Sequence, residues 1–136
     1  SRTEEPVQDV NGTIESIEVR DFMCHRHQKW EFSPQMTFIT GPNGSGKSAI
    51  LTALQVVKDG IGMMLQVAFG IRANVTGRAN RFEQLIRKGS DGPALIRVCI
   101  RNHGPNAYRP IEYGSRVIVE RQIRKTTNTT KLLNSE

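Results

Sequence analysis

The sequence predicts an α/β fold, a mixed sheet with an antiparallel subdomain that leads into a glycine loop and a helix. Three observations predict it. Apolar and polar residues alternate with a period of two in "TIESIEVRDF", "ALIRVCIRN" and "SRVIVERQI", as half-buried strands require. The glycines of "GPNGSGKS" lie between the apolar "MTFIT" and a segment in which Ile50, Leu51, Leu54 and Val57 recur at three- and four-residue spacing. That order is strand, loop, amphipathic helix. At 136 residues the chain is one domain or a piece of one, large enough to bury a core without disulfides or metal.

Residues 1–11 mix Glu, Asp, Gln and Pro without periodicity and read as a flexible lead-in, with the fold occupying 12–136. In "TIESIEVRDF", Ile17 and Val19 share one face while Ser16, Glu18 and Arg20 share the other. "KWEF" is expected as a second short strand and "MTFIT" as a third that runs straight into the glycines. Downstream, "RFEQLIRKG" reads as a short helix closed by Gly89, and "SDGP" as a turn. The next strand sets Ile96, Val98 and Ile100 against Arg97, Cys99 and Arg101. "HGPNAYRPIEYG" has too much Gly and Pro for anything except a long loop before the strand "SRVIVERQI".

One irregularity follows the glycine loop. Leu54-Gln55-Val56 recurs as Leu65-Gln66-Val67, and removing 56–66 leaves an uninterrupted "LTALQVAFGIRANVTGRA", so 56–66 reads as an insertion. Eleven residues make just over three helical turns, which lets a lengthened helix keep its buried face, while Gly60 and Gly62 weaken a continuous helix. A bulged or frayed excursion, dispensable for binding at the loop, is expected.

Composition narrows the class. A 37% hydrophobic and 24% charged chain is neither disordered nor membrane-embedded by its make-up, and no apolar run is long enough to span a bilayer. The start, "SRTEEPVQDVNG", is polar and acidic where a secretory signal needs an apolar stretch, so a cytoplasmic or nuclear site is expected and the N-x-T sequons carry no weight. Cys24 and Cys99 are then expected to be reduced. A net charge of +6 and a pI of 9.8 favour polyanionic partners.

Gly41, Gly46, Lys47 and Ser48 satisfy G-x-x-x-x-G-K-[ST], the phosphate-binding P-loop pattern, in the strand-to-helix context that gives it meaning. Glycines let the backbone curl so that successive amides point inward, and the helix N-terminus adds partial positive charge where phosphates sit. Lys47 reaches the β- and γ-phosphates in such a loop, and the Ser48 hydroxyl ligates Mg2+. The candidate nucleotide contacts are Gly41, Pro42, Asn43, Gly44, Ser45, Gly46, Lys47, Ser48 and Ala49. The loop itself does not separate ATP from GTP.

"GPNGSGKSAILTAL", preceded by "FMCH" at Phe22 to His25, resembles the N-terminal head lobe of the structural maintenance of chromosomes (SMC) ATPases, an ABC-type P-loop ATPase head. Ala49 stands where cohesin and condensin subunits usually carry Asn, which points to the DNA-repair branch of the family. The resemblance continues through "TGRA", "LIRKGS" and "IRNHGPNAYRPIEYGSRVIVERQI" and spans 12–131. It implies ATP and Mg2+ as cofactors and a nuclear, chromosomal location. As partners it implies the C-terminal head lobe of the same protein, a second SMC subunit in a heterodimer, a kleisin with other non-SMC subunits, and DNA; a membrane is not among them. It aligns Arg78 with an arginine associated with nucleotide and DNA sensing, and sets Cys24, His25 and Arg26 near the adenine or ribose, with a plain strand-to-loop corner holding a small buried Cys24 as the alternative.

The resemblance also says what the chain lacks. In SMC heads the signature motif and the Walker B acid come after a long coiled coil, and this chain reaches neither, so it holds no catalytic residue and is expected to hydrolyse ATP only with a C-terminal lobe. "RVIVER" imitates Walker B but reads as strand. Beginning with Ser and ending in "LLNSE", the chain reads as an excised or incomplete piece. Zinc at Cys24, His25 and His27 is disfavoured by the spacing. Arg81, Arg87, Lys88, Arg97, Arg101, Arg121, Arg124, Lys125 and Lys131 are candidates for a basic surface that tracks DNA phosphates without reading sequence. Two competing readings remain: a stand-alone P-loop kinase or GTPase, for which the guanine-binding N-K-x-D pattern is missing, and a DNA-binding module with an inactive loop, against which Lys47 and Ser48 stand intact.

Overall fold

Period-two alternation becomes a five-stranded antiparallel sheet in the computed structural model, which describes residues 14–32, 46–62, 82–105 and 107–134. The strands are β1 (Ile14–Phe22), β2 (His25–Glu31), β3 (Ala94–Arg101), β4 (Arg116–Ile123) and β5 (Asn128–Asn134), in the order β2-β1-β3-β4-β5. Residues 36–40, expected as a strand, lie outside the described residues, as do 1–13. Helix α1 (Lys47–Asp59) packs on the face made by β1, β3 and β4, with α2 (Phe82–Leu85) and α3 (Pro110–Tyr113) as single turns at the margins.

The alternating residues divide as their spacing dictates. Ile17, Val19, Ile96, Val98, Ile100, Val117, Val119 and Ile123 are all fully buried under α1, whose Ile50, Ala53, Leu54 and Val57 face them. Burying each of the larger aliphatic side chains contributes roughly 2 kcal/mol, so this two-layer contact carries the fold. Leu51, placed on the same helical face by its spacing, is only partly buried at its edge.

Four details depart from the spacing. Strand β2 starts at His25, not Lys29, because "HRHQ" lacks apolar alternation and is drawn into the sheet by pairing with β1, His27 opposite Arg20 and Trp30 opposite Ile17. The helix expected over "RFEQLIRKG" stops at Leu85, since the backbone there is claimed by β1: Met23 N donates to Leu85 O, Arg87 N donates to Asp21 O, and Ile86 bridges to Phe22. Gly89, with φ +91°, therefore shapes a later turn and does not close the helix. The loop "HGPNAYRPIEYG" contains α3, opened by a proline whose missing amide costs nothing at that position, and is clasped by the buried Asn102 side chain, which bonds Tyr108 N, Tyr108 O and Gly114 O.

The expected excursion at 56–66 is also corrected in its first part. Val56 to Asp59 continue α1 without a break to the C-cap at Gly60, and Val56, Val57 and Ile61 belong to the core. Residues 63–66 lie outside the described residues.

On the face away from α1, the register builds a line of alternating charge across the sheet: Lys29 opposite Glu18, Glu18 opposite Arg97, Arg97 opposite Glu120, and Glu120 opposite Lys131. Arg97 Nε donates to Glu120 at 2.7 Å. The irregularity between Ile14 and Ser16 leaves Glu15 beside both Arg101 (3.4 Å) and Arg116 (2.7 Å), two like charges that face each other across β3 and β4.

Glu18 is the titratable centre of that line. The hydrogen bond from His27 (2.5 Å) holds its carboxyl below the ordinary value, aided by the charges of His27, Arg20 and Arg97 and opposed by partial burial. A lowered folded-state pKa adds stability above the unfolded value and loses it as pH falls through the folded one. Glu18→Gln should therefore be less stable than wild type above pH 4.5, with the difference closing below it, in thermal unfolding across a pH series. A gap that does not close on acidification would exclude Glu18 as its cause.

Candidate functional site

The described part of the glycine loop is its exit. Gly46 has φ +106°, a left-handed conformation that L side chains rarely adopt, and it is the N-cap of α1. Ile50 N donates to Gly46 O at 2.9 Å, which starts the helix, while among the described residues no side chain caps the N-terminus and no acidic residue lies in the first turn. Helix-end amides left without a side-chain acceptor, with the positive end of the helix dipole behind them, suit an anion. Lys47 opens α1, Ser48 is exposed in its first turn, and Ala49 is buried against the core. The exposed hydroxyl and the buried methyl follow from helical spacing. Gly41, Pro42, Asn43, Gly44, Ser45 and Arg78 lie outside the described residues.

A second glycine constraint appears at the same place. A Cβ on Gly46 would stand 2.8 Å from Trp30 Cζ2 and 2.9 Å from Trp30 Nε1, so the indole of β2 is flush against the last glycine of the loop. His25 meets that indole edge-on, with ring centroids 5.5 Å apart and planes at 85°. The sequence reading named His25 but missed Trp30. The signal was present, because the chain's one tryptophan sits in the otherwise polar "HRHQKWE".

The corner before β2 is a two-residue turn at Met23 and Cys24, with Asp21 (φ +47°) and Met23 (φ +55°) both left-handed. Cys24 is exposed there and free, which overturns the alternative of a small buried residue at that corner. Cys99 is free and half-buried, and burial followed by the nearby Glu15 carboxylate raises its thiol pKa. Among the described residues no group of three His, Cys, Asp or Glu side chains is arranged to hold a metal ion.

Glu120 of "RVIVER" belongs to β4 and bonds Arg97, on the sheet face opposite α1 by strand alternation. The candidate basic residues are not gathered on one surface. Arg87 pairs with Asp21, Arg97 with Glu120 and Arg101 with Glu15, and Arg121 is buried below the end of α1. Lys88, Arg124, Lys125 and Lys131 are exposed, and Arg81 lies outside the described residues. Ion pairing and burial thus hold four of the candidate side chains in place within the fold.

An AAA domain model matches residues 16–136. Structural maintenance of chromosomes protein 6 of Dictyostelium discoideum is 43% identical over 115 residues, 85% of this chain and 9% of its own length. The chain belongs to the AAA domain family, in its structural maintenance of chromosomes branch. Protein 6A of Arabidopsis thaliana (42% identical, 92% of this chain, 11% of its length) and the human protein 6 (34%, 82% and 9%) are similar to it as well, so the relation is to the sixth eukaryotic paralogue. The chain thus spans about a tenth of the length of these relatives. A solved structure from work on ATP-driven dimerization and DNA stimulated activation of SMC ATPases shares the fold of this SMC chain, with a TM-score of 0.61 at 24% identity over 90% of this chain and 70% of that one. Its likeness matches an N-terminal head lobe.

Proposed function

We propose that the chain is the ATP-binding N-terminal half-head of an SMC-type chromosome maintenance and DNA-repair ATPase, working in the nucleus on chromosomes. The observation that carries this is the left-handed Gly46 delivering Lys47 and Ser48 into the N-terminus of a helix packed on an antiparallel sheet. Amides of 41–48 and Lys47 hold the phosphates of ATP, Ser48 holds Mg2+, and Arg78 senses the bound state. Magnesium supplies charge neutralisation at the β- and γ-phosphates. The carboxylate that orients water and the motif that clamps the γ-phosphate come from a C-terminal lobe and a second SMC subunit, with a kleisin and other non-SMC subunits joining the heads. Two antiparallel strands ahead of the loop favour this over a stand-alone kinase or GTPase, which usually begins with the loop strand.

Co-expression with a C-terminal SMC head lobe, followed by ATPase assays with and without DNA, tests the proposal. Turnover that no such lobe restores overturns it. DNA binding is placed on Lys88, Arg124 and Lys125, exposed and outside the paired line of charge. Affinity is expected to be independent of sequence and to fall steeply between low and physiological salt in a binding titration. A flat salt response contradicts a phosphate-directed contact.

A further inference from the structure

We infer that Trp30 is a positioning residue for the phosphate loop, a role that rests on reading that loop as an ATP cradle. The indole and the closing glycine are in contact: where a Cβ would stand on Gly46, Trp30 Cζ2, Nε1 and Cε2 lie within 3.0 Å. Nothing but hydrogen fits between them.

The contact joins two elements of different stability. On one side is Gly46, in the left-handed region and at the N-cap, where the loop's direction into α1 is set. On the other is β2, which among the described residues pairs only with β1, with Trp30 opposite the fully buried Ile17. Trp30 is partly buried against the core and makes a T-shaped contact with His25, so its ring is held both by packing and by a second ring. A rigid two-torsion side chain braced in this way limits where Gly46 can move. In an anion cradle made of backbone amides, sub-ångström placement of those amides decides how many reach the phosphate oxygens. The polar sequence of β2 then has a reason to carry one large aromatic at this register. The same contact makes the sole tryptophan of the chain a reporter of the loop.

The experiment uses the 136-residue chain with MgATP, followed by calorimetry and by intrinsic fluorescence. Wild type is expected to bind with a saturable change in Trp30 emission that tracks the calorimetric isotherm. Trp30→Ala should weaken binding about tenfold, and Trp30→Phe, which restores a ring against Gly46, should stay within about threefold of wild type. Heat of binding without any change in emission, or equal affinity in Trp30→Ala, overturns the role of Trp30 and leaves the cradle standing. Absence of binding by wild type overturns the cradle, and the role of Trp30 with it. Should Trp30→Ala fail to fold, the wild-type emission titration and the affinity of Trp30→Phe decide.

Discussion

Lys47→Ala is expected to remove MgATP binding while leaving the fold intact. Lys47 opens α1, where alanine is a better helix former than lysine, so thermal stability should change by no more than about 0.5 kcal/mol. Nucleotide binding loses much more. The N-terminal amides of α1 contribute partial charge only, and in the proposed cradle the lysine supplies the full positive charge for the β- and γ-phosphates. Charge-assisted hydrogen bonds of that kind are worth about 1.5–3 kcal/mol each, so the affinity should drop on the order of 100-fold, about 2.8 kcal/mol. Calorimetry on wild type and variant measures it directly. Equal affinities would mean that the loop does not hold phosphates, and the proposed function would fail with it.

Gly60→Ala should destabilise the chain by about 2 kcal/mol, although the glycine has an ordinary helical φ of −89° that alanine accepts. The cost comes from space. A Cβ there would lie 2.6 Å from Arg121 Cδ and 2.7 Å from its Cζ and Nε. An exposed arginine would swing away, but Arg121 is 5% exposed and its Nη1 donates to Asn128 at 2.6 Å and Thr130 at 2.7 Å, which pins the guanidinium between β4, β5 and the end of α1. Its Nε is buried without a hydrogen-bond partner among the described residues, and desolvation lowers its pKa against the attraction of Asp59. Removing the arginine removes the obstacle. Arg121→Ala should itself cost about 2 kcal/mol through lost packing and two lost hydrogen bonds, and the double variant should be less destabilised than the sum of the two by about 1 kcal/mol. Arg121→Met, which keeps the stem and drops the desolvated charge, should sit near wild type. Strict additivity in denaturant unfolding would show that Gly60 is needed for some other reason.

Together with Trp30 at Gly46, this places one large side chain from the sheet against a glycine at each end of the loop helix. Both glycines are required by neighbours distant in sequence. Gly46 was legible as part of a pattern, and its conformation agrees with that pattern; Gly60 was legible only as a weak point in a helix, and the structure makes it the helix end.

Periodicity and the loop pattern by themselves determined β1, β3, β4, α1 and the exit of the glycine loop, because each carries its own signal: a buried face at period two, a buried face at 3.6, or glycines where the backbone must curl. Strand β5 carried none. Thr129, Thr130 and Lys131 do not alternate in polarity, and "RKTT" has no glycine or proline to announce the turn closed by Arg124 N and Thr127 O. Pairing with β4 makes it a strand. The same holds for the first half of β2, for the early end of α2, and for the fate of the basic residues, of which Arg97 and Arg101 enter cross-strand ion pairs and Arg121 becomes a buried guanidinium. Such features depend on which strand lies beside which. That information is in the sheet order β2-β1-β3-β4-β5, in which β3 passes over β2, the strand before it in sequence, to pair with β1, and only the tertiary structure supplies it.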